Sequence, residues 1–214
     1  MTNRYEAIGD EDEFEPGSDG RVLRNRVGIQ NPQDMDALEM RLLGELYEDV
    51  LIRNFPDREI TAADLKHWHR MWLGNVYSWA GEERSVNLGK DGFQFATARL
   101  IPELLRSFER RCLSRWTPGR ESTLGELAEA IAITHVELIL IHPFRDGNGR
   151  LARLLADVMA AQAGQDLLDY TEWEEQRAEY VAAIHAGVAG DYAPMTKMVT
   201  AAMKKDGAAL TAPR

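Results

Sequence analysis

Apolar residues recur at helical spacing along most of this chain. In NPQDMDALEMRLLGELYEDVL they follow one another at intervals of four from Leu38 to Val50, which predicts an amphipathic helix. Asn31 and Asp34 are its candidate N-caps, and Pro32 suits the first turn. Similar patterns predict six more helices, in TAADLKHWHRMWLGNVYSW, ATARLIPELLRSFERRCLSRW, STLGELAEAIAITHVELILI, RLARLLADVMAAQAG, TEWEEQRAEYVAAIHAG and APMTKMVTAAMKK. The pattern therefore predicts an all-α fold.

One segment, RSVNLGKDGFQFA, alternates as a β-strand does. Val86 and Leu88 lie before the turn signal Asp91-Gly92, and Phe93 and Phe95 follow it. Asp-Gly between alternating apolar residues predicts a β-hairpin. Taken alone, the hairpin is best interpreted as a surface element that covers part of the core.

The length of 214 residues fits one domain with short tails. Residues 1–20 are polar and acidic, which predicts a flexible arm, and residues 204–214 are expected to form a frayed tail. The predicted domain spans residues 21–203.

Composition excludes several classes of function. The net charge of −10 argues against a general affinity for nucleic acid or for acidic membrane surfaces. The single cysteine, Cys112, cannot form a disulfide within the chain, which favours a reducing compartment. The first residues include no apolar run, and no segment is long enough to span a bilayer. A cytoplasmic protein that binds neither nucleic acid nor membranes is expected.

The helix predicted in LAEAIAITHVELILI is apolar almost all round, which is typical of a helix buried at the centre of a bundle. Pro143 cannot continue it, so His142 is expected at its exposed end. A histidine there has a proton affinity suited to base catalysis near neutral pH.

The residues after this helix form the pattern of an anion site. Gly147 and Gly149 allow a tight turn directly before the next helix, whose N-terminal N–H groups favour negative charge. Arg150 and Arg153 lie three residues apart and share a helix face, so both can bind one polyphosphate. Asp146 can hold a divalent cation beside it. These residues predict a metal-bound nucleotide polyphosphate attacked by a group that His142 activates.

The stretch HPFRDGNGRLAR resembles, position by position, the signature of the Fic family, His-x-Phe-x-Asp/Glu-Gly-Asn-Gly-Arg-x-x-Arg. LRNRVGIQNPQDMDALE and YSWAGEERSVNLGKDGFQFA are also similar to parts of that family, so the resemblance covers roughly residues 21–200. It implies the Fic fold, a helical bundle around a central buried helix with a small β-hairpin flap. It also implies transfer of AMP from ATP to a Ser, Thr or Tyr hydroxyl of a target protein.

The resemblance implies a role for each signature residue. His142 is expected to be the general base, Asp146 to hold Mg²⁺, and Phe144 to anchor the loop in the core. The remaining positions are expected to bind ATP: Gly147, Asn148 and Gly149 as an anion hole, Arg150 at the β-phosphate and Arg153 at the γ-phosphate.

The resemblance changes the interpretation of the hairpin. In the family, the flap edge binds an extended segment of the target by strand addition. The residues expected to dock the target here are Val86, Asn87, Leu88, Gly89 and Lys90.

Other histidines favour structural roles. His135 lies in an apolar helix and is expected to be a hydrogen-bonded core residue. His67 and His69 are two residues apart in a predicted helix, so they point to different sides and do not suit a metal pair.

Many Fic proteins are inhibited by a helix that carries Ser/Thr-x-x-x-Glu-Gly/Asn, whose glutamate pairs with the second motif arginine, here Arg153. Five Ser/Thr-to-Glu spacings occur in the chain, but none of the glutamates precedes Gly or Asn. The sequence therefore resembles Fic toxins controlled by a separate small helical antitoxin, in a bacterial cytoplasm. A type II topoisomerase subunit is a target by analogy only.

Two alternative functions stay open. One is a related phosphotransferase or other nucleotidyltransferase, which the intact Gly-Asn-Gly-Arg disfavours. The other is a non-catalytic nucleotide-binding scaffold, which the intact His142 disfavours.

Overall fold

The computed structural model describes the backbone of residues 6–8 and all atoms of residues 13–120 and 123–203. The predicted tail at 204–214 lies outside these residues. The described part is largely helical, with one short strand before the first helix and a hairpin between the second and third α-helices. Its elements are β1 (Glu6–Ile8), α1 (Pro32–Glu48), α2 (Ala62–Leu73), β2 (Asn87–Lys90), β3 (Phe93–Gln94), α3 (Ile101–Phe108), α4 (Ser114–Trp116), α5 (Leu124–Ile141), α6 (Asn148–Gln162), α7 (Thr171–Glu175), α8 (Arg177–Ala186) and α9 (Ala193–Met203).

Side-chain caps fix the starts of three helices. Asn31 accepts hydrogen bonds from the backbone of α1, as predicted. Thr61 and Asp64 form a reciprocal capping box at α2, and Thr123 and Glu126 form another at α5. Each cap satisfies N–H groups that have no partner within the helix.

α5 is the central helix, as its apolar sequence predicted. Eleven of its residues are buried. It packs against α6 and α9 on its long sides, and also against α3 and α8. Because the C-terminal half of α5 is almost entirely buried, the loop that follows it is held on a rigid support. In the described part of the chain, no helix is both long and apolar enough to cross a membrane.

Two helix predictions need correction. The helix predicted to reach Trp79 ends at Leu73, and the chain turns before Gly81. The helix predicted over 171–187 is interrupted at Gln176, whose backbone leaves the helical region (φ −101°, ψ 48°). Both segments stay apolar on one side, so periodicity alone did not predict where they turn.

The sheet has three strands in the order β1-β2-β3, and both pairs are antiparallel. The predicted hairpin joins β2 and β3, and Asp91 (φ 51°) and Gly92 (φ 81°) both adopt the left-handed conformation that its tight turn requires. β1 pairs with the other edge of β2, from Glu6 opposite Gly89 to Ile8 opposite Asn87.

This pairing differs from the flexible arm predicted for residues 1–20. That prediction lies outside the described residues at 1–5 and 9–12. Within the described part, residues 6–8 form a strand, and Phe14 forms a β-bridge with Leu23. Three residues are too few to show strand alternation in a sequence.

Candidate active site

The loop between α5 and α6 has the geometry of a helix end followed by a tight turn. His142 is the C-cap of α5 and adopts a left-handed conformation (φ 50°, ψ 61°), while its N–H still bonds to the Leu138 carbonyl. Left-handed backbone is uncommon for a residue other than glycine and is found often at functional sites. Pro143 follows directly, so the helix ends here, as predicted.

The imidazole of His142 is not exposed, in contrast to the prediction. The residue is only 3% exposed, because the ring of Phe95 from the flap stacks on it at 3.8 Å between centroids. The sequence placed His142 at a helix end without showing that the hairpin covers that end. His142 is therefore protected from bulk water on its flap side.

The hydrogen bond of His142 determines its tautomer. Nδ1 lies 3.1 Å from the Ile139 carbonyl oxygen, which can only accept, so Nδ1 carries the proton and Nε2 is the basic nitrogen. Burial lowers the pKa of His142 to about 3, and the neighbouring Arg84 and Lys90 act in the same direction. The imidazole is therefore neutral near pH 7.

Gly147 is the N-cap of α6 and has a conformation that requires glycine. Its φ is +83°, and a Cβ atom there would lie 2.7 Å from the Trp72 ring. Gly149 lies one residue into the first turn, and a Cβ atom there would meet no other atom within 4 Å. The N-terminus of α6 is thus held by Trp72 on one side and open to a ligand at Gly149.

Asn148 closes the loop with its side chain. Its Oδ1 accepts from the N–H of Phe144 at 2.9 Å, and its Nδ2 donates to the Phe144 carbonyl at 2.8 Å. Asn148 can therefore contribute its backbone N–H to the predicted anion hole, while its amide holds the loop shape. Phe144 is buried, as predicted.

His69 on α2 supports the same loop, a role that the sequence did not reveal. Its Nδ1 accepts from the N–H of Gly81 at 2.8 Å, so Nε2 carries the proton and donates to the Asp146 carbonyl at 3.0 Å. The ring also stacks on Phe144 at 4.1 Å. His67 is exposed, which agrees with the prediction that the two histidines point to different sides.

Asp146 places a carboxylate beside the start of α6. Its Oδ1 accepts from the N–H of Gly147 at 2.6 Å and lies 3.7 Å from Nη2 of Arg150. In the described residues, no group of three or more His, Cys, Asp or Glu side chains could hold a metal by itself. One carboxylate at a phosphate cradle fits Mg²⁺, which proteins usually hold with one or two carboxylates and substrate phosphates.

Residues of α1 and α2 hold the side chain of Arg150 in place. Its guanidinium forms a 2.6 Å ion pair with Glu39 of α1 and lies 4.5 Å above the Trp72 ring. Glu39 is 1% exposed and also accepts from the Tyr77 hydroxyl at 2.7 Å. Glu39 is a second residue at the site that sequence reasoning missed.

Arg153 is held on the next turn of α6. Its guanidinium pairs with Glu174 of α7 at 2.9 Å and lies 5.1 Å from the ring of Tyr170. The Tyr170 hydroxyl donates to the Arg153 carbonyl and to Asp157. Arg153 thus carries a glutamate partner from the chain itself.

A pocket of about 430 Å³ joins these elements, a volume within the range of small-molecule sites. His142, Gly149 and Arg153 line it on the side of the loop. Lys90, Phe93 and Phe95 of the flap and residues of α7 and α8, among them Trp173, Arg177 and Tyr180, line the rest. The structure therefore brings the predicted base, one cradle glycine and the second arginine to one cavity under the flap.

The five flap residues differ in exposure. Val86, Leu88 and Gly89 are buried, Lys90 is half-buried, and Asn87 is exposed and accepts from the N–H of Ala98 through Oδ1. The edge of β2 away from β3 is paired with β1. The edge of β2 that was predicted to dock a target thus has a partner within the chain.

His135 has the core role that its sequence context predicted. It is buried, its Nε2 shares a hydrogen bond with the Tyr180 hydroxyl at 2.9 Å, and its ring meets Trp173 edge to face. Because Tyr180 also lines the pocket, His135 supports the pocket wall from beneath.

Residues 59–160 match the Fic/DOC family. The chain is similar to a probable protein adenylyltransferase of Sinorhizobium fredii, with 28% identity over 192 residues that cover 90% of this chain and 95% of the relative. It is also similar to the protein adenylyltransferase fic-1 of Caenorhabditis elegans, with 32% identity over 66% of this chain and 27% of the relative. The chain thus spans nearly all of the rhizobial relative and about a quarter of the nematode one.

The fold is that of solved Fic domains. The BepC protein of Bartonella tribocorum, a VirB-translocated effector crystallised with bound AMPPNP, superposes with a TM-score of 0.70. The superposition covers 90% of this chain and 96% of that chain at 20% sequence identity.

Proposed function

Residues 59–160 of this chain form a Fic/DOC family domain, and on that premise we propose that the chain is a protein adenylyltransferase. In the proposed reaction it transfers AMP from ATP to a Ser, Thr or Tyr hydroxyl of a target protein. Support comes from relatives that are named protein adenylyltransferases and from a structural neighbour that binds the ATP analogue AMPPNP.

The observation that carries the proposal is the state of His142. Its Nδ1–H donates to the Ile139 carbonyl, which leaves Nε2 as the nitrogen that can accept a proton. Burial keeps the ring neutral but lowers its proton affinity below that expected from the sequence, and the negative charge of a bound triphosphate would raise it again. The target oxygen forms a bond to the α-phosphorus, the bond from that phosphorus to the bridging oxygen breaks, and pyrophosphate leaves. The hydroxyl proton passes to Nε2 of His142. Such general-base help contributes about 10²–10⁴-fold.

The phosphates are proposed to lie at the N-terminus of α6. The backbone N–H groups of Asn148 and Gly149 and the guanidinium groups of Arg150 and Arg153 would meet their charge, with the arginines at the β- and γ-phosphates. The Gly147 N–H donates to the Asp146 carboxylate and would have to leave it to join them. Donors that are already oriented toward developing charge usually supply the largest catalytic contribution. Asp146 would hold Mg²⁺, which would neutralise phosphate charge when bound.

Labelled ATP tests the proposed reaction. Purified protein with Mg²⁺ and ATP labelled at the α-phosphate is expected to label itself or an acceptor in a host lysate. His142→Ala is expected to lose at least about 10²-fold of the initial rate. His67→Ala, which removes an exposed histidine outside the pocket, serves as the matched control and should retain the rate.

Two results would contradict the proposal in different ways. Label transferred from the γ-phosphate instead would indicate a phosphotransferase. Tight ATP binding without any transfer would indicate a nucleotide-binding scaffold.

The flap is proposed to dock the target. An extended target segment adjacent to Val86–Lys90 would place its hydroxyl near His142, since Lys90 and His142 line the same pocket. A target that adds to β2 must take the place of β1, because β1 is paired with that edge.

The proposal extends to inhibition of this activity by a partner protein. We propose that the chain is a toxin of the bacterial cytoplasm, inhibited by a small helical antitoxin with Ser/Thr-x-x-x-Glu-Gly/Asn. A type II topoisomerase subunit is its proposed target by analogy. The antitoxin glutamate would compete with Glu174 for Arg153. Expression of this chain alone should slow bacterial growth, and His142→Ala should relieve it; growth unaffected by the active chain would count against a toxin.

A further inference from the structure

Arg84 is a buried cation that lies between the flap and the loop of His142. It is 4% exposed and precedes β2 by three residues. Its Nε donates to the His142 carbonyl at 2.7 Å, and Nη2 approaches the Ile141 carbonyl at 3.3 Å. On the flap side, Nη1 donates to the Val86 carbonyl and Nη2 to the Ala96 carbonyl, both at 2.5 Å.

The two carbonyls on the loop side belong to the end of α5. The last carbonyls of a helix have no partner within it, and here Pro143 and the left-handed His142 prevent continuation. A cation at this position satisfies them and interacts favourably with the negative end of the helix dipole. The backbone N–H of Arg84 also donates to the Pro143 carbonyl at 2.8 Å.

The two flap carbonyls flank the hairpin on both sides. Val86 directly precedes β2, and Ala96 lies two residues beyond the end of β3. Ala96 in turn donates its N–H to the Leu140 carbonyl of α5. One planar guanidinium group therefore connects both ends of the hairpin to the residue expected to act as base.

We propose that Arg84 is a positioning residue that fixes the flap and the imidazole of His142 relative to each other. The inference rests on the proposed function, since the purpose of this alignment is to bring a flap-bound hydroxyl to Nε2. The hydrogen bonds of Arg84 go to Val86, Ala96 and residues 141–143, which precede the proposed phosphate cradle at Gly147–Arg153. We therefore expect Arg84 to act on the alignment of the acceptor and to leave ATP binding unchanged. Arginine suits the role because its fork of five donors is rigid, whereas a lysine ammonium is a point charge on a flexible stem.

Because Arg84 is buried, water cannot easily replace its hydrogen bonds to the four carbonyls when the side chain is changed. Desolvation and the neighbouring Arg145 lower the pKa of Arg84 to about 10, so the group stays charged near pH 7. Its carbonyl partners supply four acceptors. Replacement by a neutral side chain leaves these carbonyls with fewer donors and loosens both segments together.

The experiment compares Arg84→Met, Arg84→Lys and a matched control, Gln162→Ala. Gln162 is also a buried side chain that donates to two backbone carbonyls, those of Pro56 and Arg58, at the far end of α6. Three quantities are measured: the dissociation constant for AMPPNP, kcat for self-labelling from α-labelled ATP with its KM for ATP, and amide hydrogen exchange.

Arg84→Met is expected to lower kcat by roughly 10²-fold, the effect of a misplacement of about 1 Å, with KM and the AMPPNP dissociation constant within about twofold of wild type. Exchange should accelerate in residues 86–96 and 140–144 together. Arg84→Lys should recover part of both effects, because it keeps the charge. Gln162→Ala should change neither kcat nor exchange in those two segments.

Three outcomes would overturn the proposal. They are unchanged kcat and exchange in Arg84→Met, acceleration in one segment only, and an equal loss in Gln162→Ala. If Arg84→Met does not fold, Arg84→Lys decides by the same readouts. Absence of labelling by the wild-type chain would count against the proposed function alone, because coupled exchange in the two segments tests the positioning role without any transfer.

Discussion

Gly147 meets two constraints that exclude every other residue type. Its φ of +83° costs an L-residue about 1–2 kcal/mol, and a Cβ atom would overlap the Trp72 ring. The same ring supports the guanidinium of Arg150. A change at this position therefore disturbs the start of α6 and the arginine beside it.

Gly147→Ala is expected to destabilise the fold by at least about 1–2 kcal/mol, which lowers Tm by several degrees in a chain of this size. ATP affinity should fall by about tenfold or more, because the displaced start of α6 would lose at least one hydrogen bond to the phosphates. Loss of one hydrogen bond to a charged group costs about 1.5–3 kcal/mol. Calorimetry and a binding titration measure the two effects. Gly44→Ala in α1, where a Cβ meets no atom within 4 Å, should leave both unchanged or slightly raise stability. Wild-type affinity in Gly147→Ala would contradict the assigned cradle.

The residues of the loop could be predicted because they are contiguous in the chain. The residues expected to bind ATP and to act as base form one contiguous motif from His142 to Arg153. Glu39, His69 and Arg84 were missed because each reaches the loop from a distant part of the sequence. Glu39 pairs with a residue 111 positions away, and His69 and Arg84 bond to residues 77 and 58 positions away. Only packing of α1, α2 and the flap brings them to the site.

At the scale of elements, α7 places a glutamate where a γ-phosphate is expected. Glu174 pairs with Arg153, yet it is 68% exposed along its side chain. Exposed ion pairs contribute about 0–1 kcal/mol, so this one can weaken phosphate binding but cannot prevent it.

Glu174→Ala is therefore expected to raise the affinity for ATP by up to about fivefold, with a smaller gain for ADP, which lacks the γ-phosphate. Isothermal titration with both nucleotides measures the ratio. Glu172→Ala removes the same charge from an exposed residue of the same helix and is the control. An equal gain in both variants would assign the effect to net charge instead of to the Arg153 pair.

Element prediction succeeded where one periodicity extends over many residues. α5 and the hairpin were both predicted, the first from an apolar run and the second from Asp91-Gly92 between alternating residues. β1 was missed because a strand of three residues depends on its partner, not on its own sequence. The break at Gln176 was missed because both flanking helices keep their apolar residues in phase.

At the scale of the molecule, Asp157 connects distant parts of the bundle. The buried carboxylate of α6 accepts from the hydroxyls of Tyr47 and Tyr170 and from the N–H of Leu168, each at 3.0 Å. Burial raises the pKa of Asp157 to about 6, although these hydrogen bonds oppose the shift. Because the folded-state pKa exceeds the ordinary value of 3.8, this group contributes stability below about pH 4 that is lost as the pH rises through about 6.

Asp157→Asn should remove this contribution to the pH dependence while keeping the shape of the side chain. The free energy of unfolding is measured for both proteins, and the value of the variant is subtracted from that of the wild type. This difference should increase by up to about 3 kcal/mol as the pH falls from 7 to 4. Urea unfolding at several pH values measures the difference. A constant difference across that range would show that Asp157 titrates normally in the folded chain.

The pairing of β1 with β2 has a kinetic and thermodynamic consequence for any acceptor that adds to the same edge. A tethered strand acts at an effective concentration in the millimolar range when its linker is short. A free acceptor then meets an available edge for only a fraction of the time, and its apparent dissociation constant rises by the inverse of that fraction.

Proline substitution within β1 should therefore act as a gain of function. Proline at Glu6, Ala7 or Ile8 removes a strand donor, so at least one of the three variants should weaken the pairing and increase the initial rate of α-label transfer at low acceptor concentration. At saturating acceptor the rates should converge, because occupancy of the edge no longer limits binding. Ala7→Val, which keeps the backbone donor of the strand, should behave as wild type. If release of β1 does not change the initial rate at low acceptor concentration, acceptors bind another edge, and β1 does not limit their access to the site.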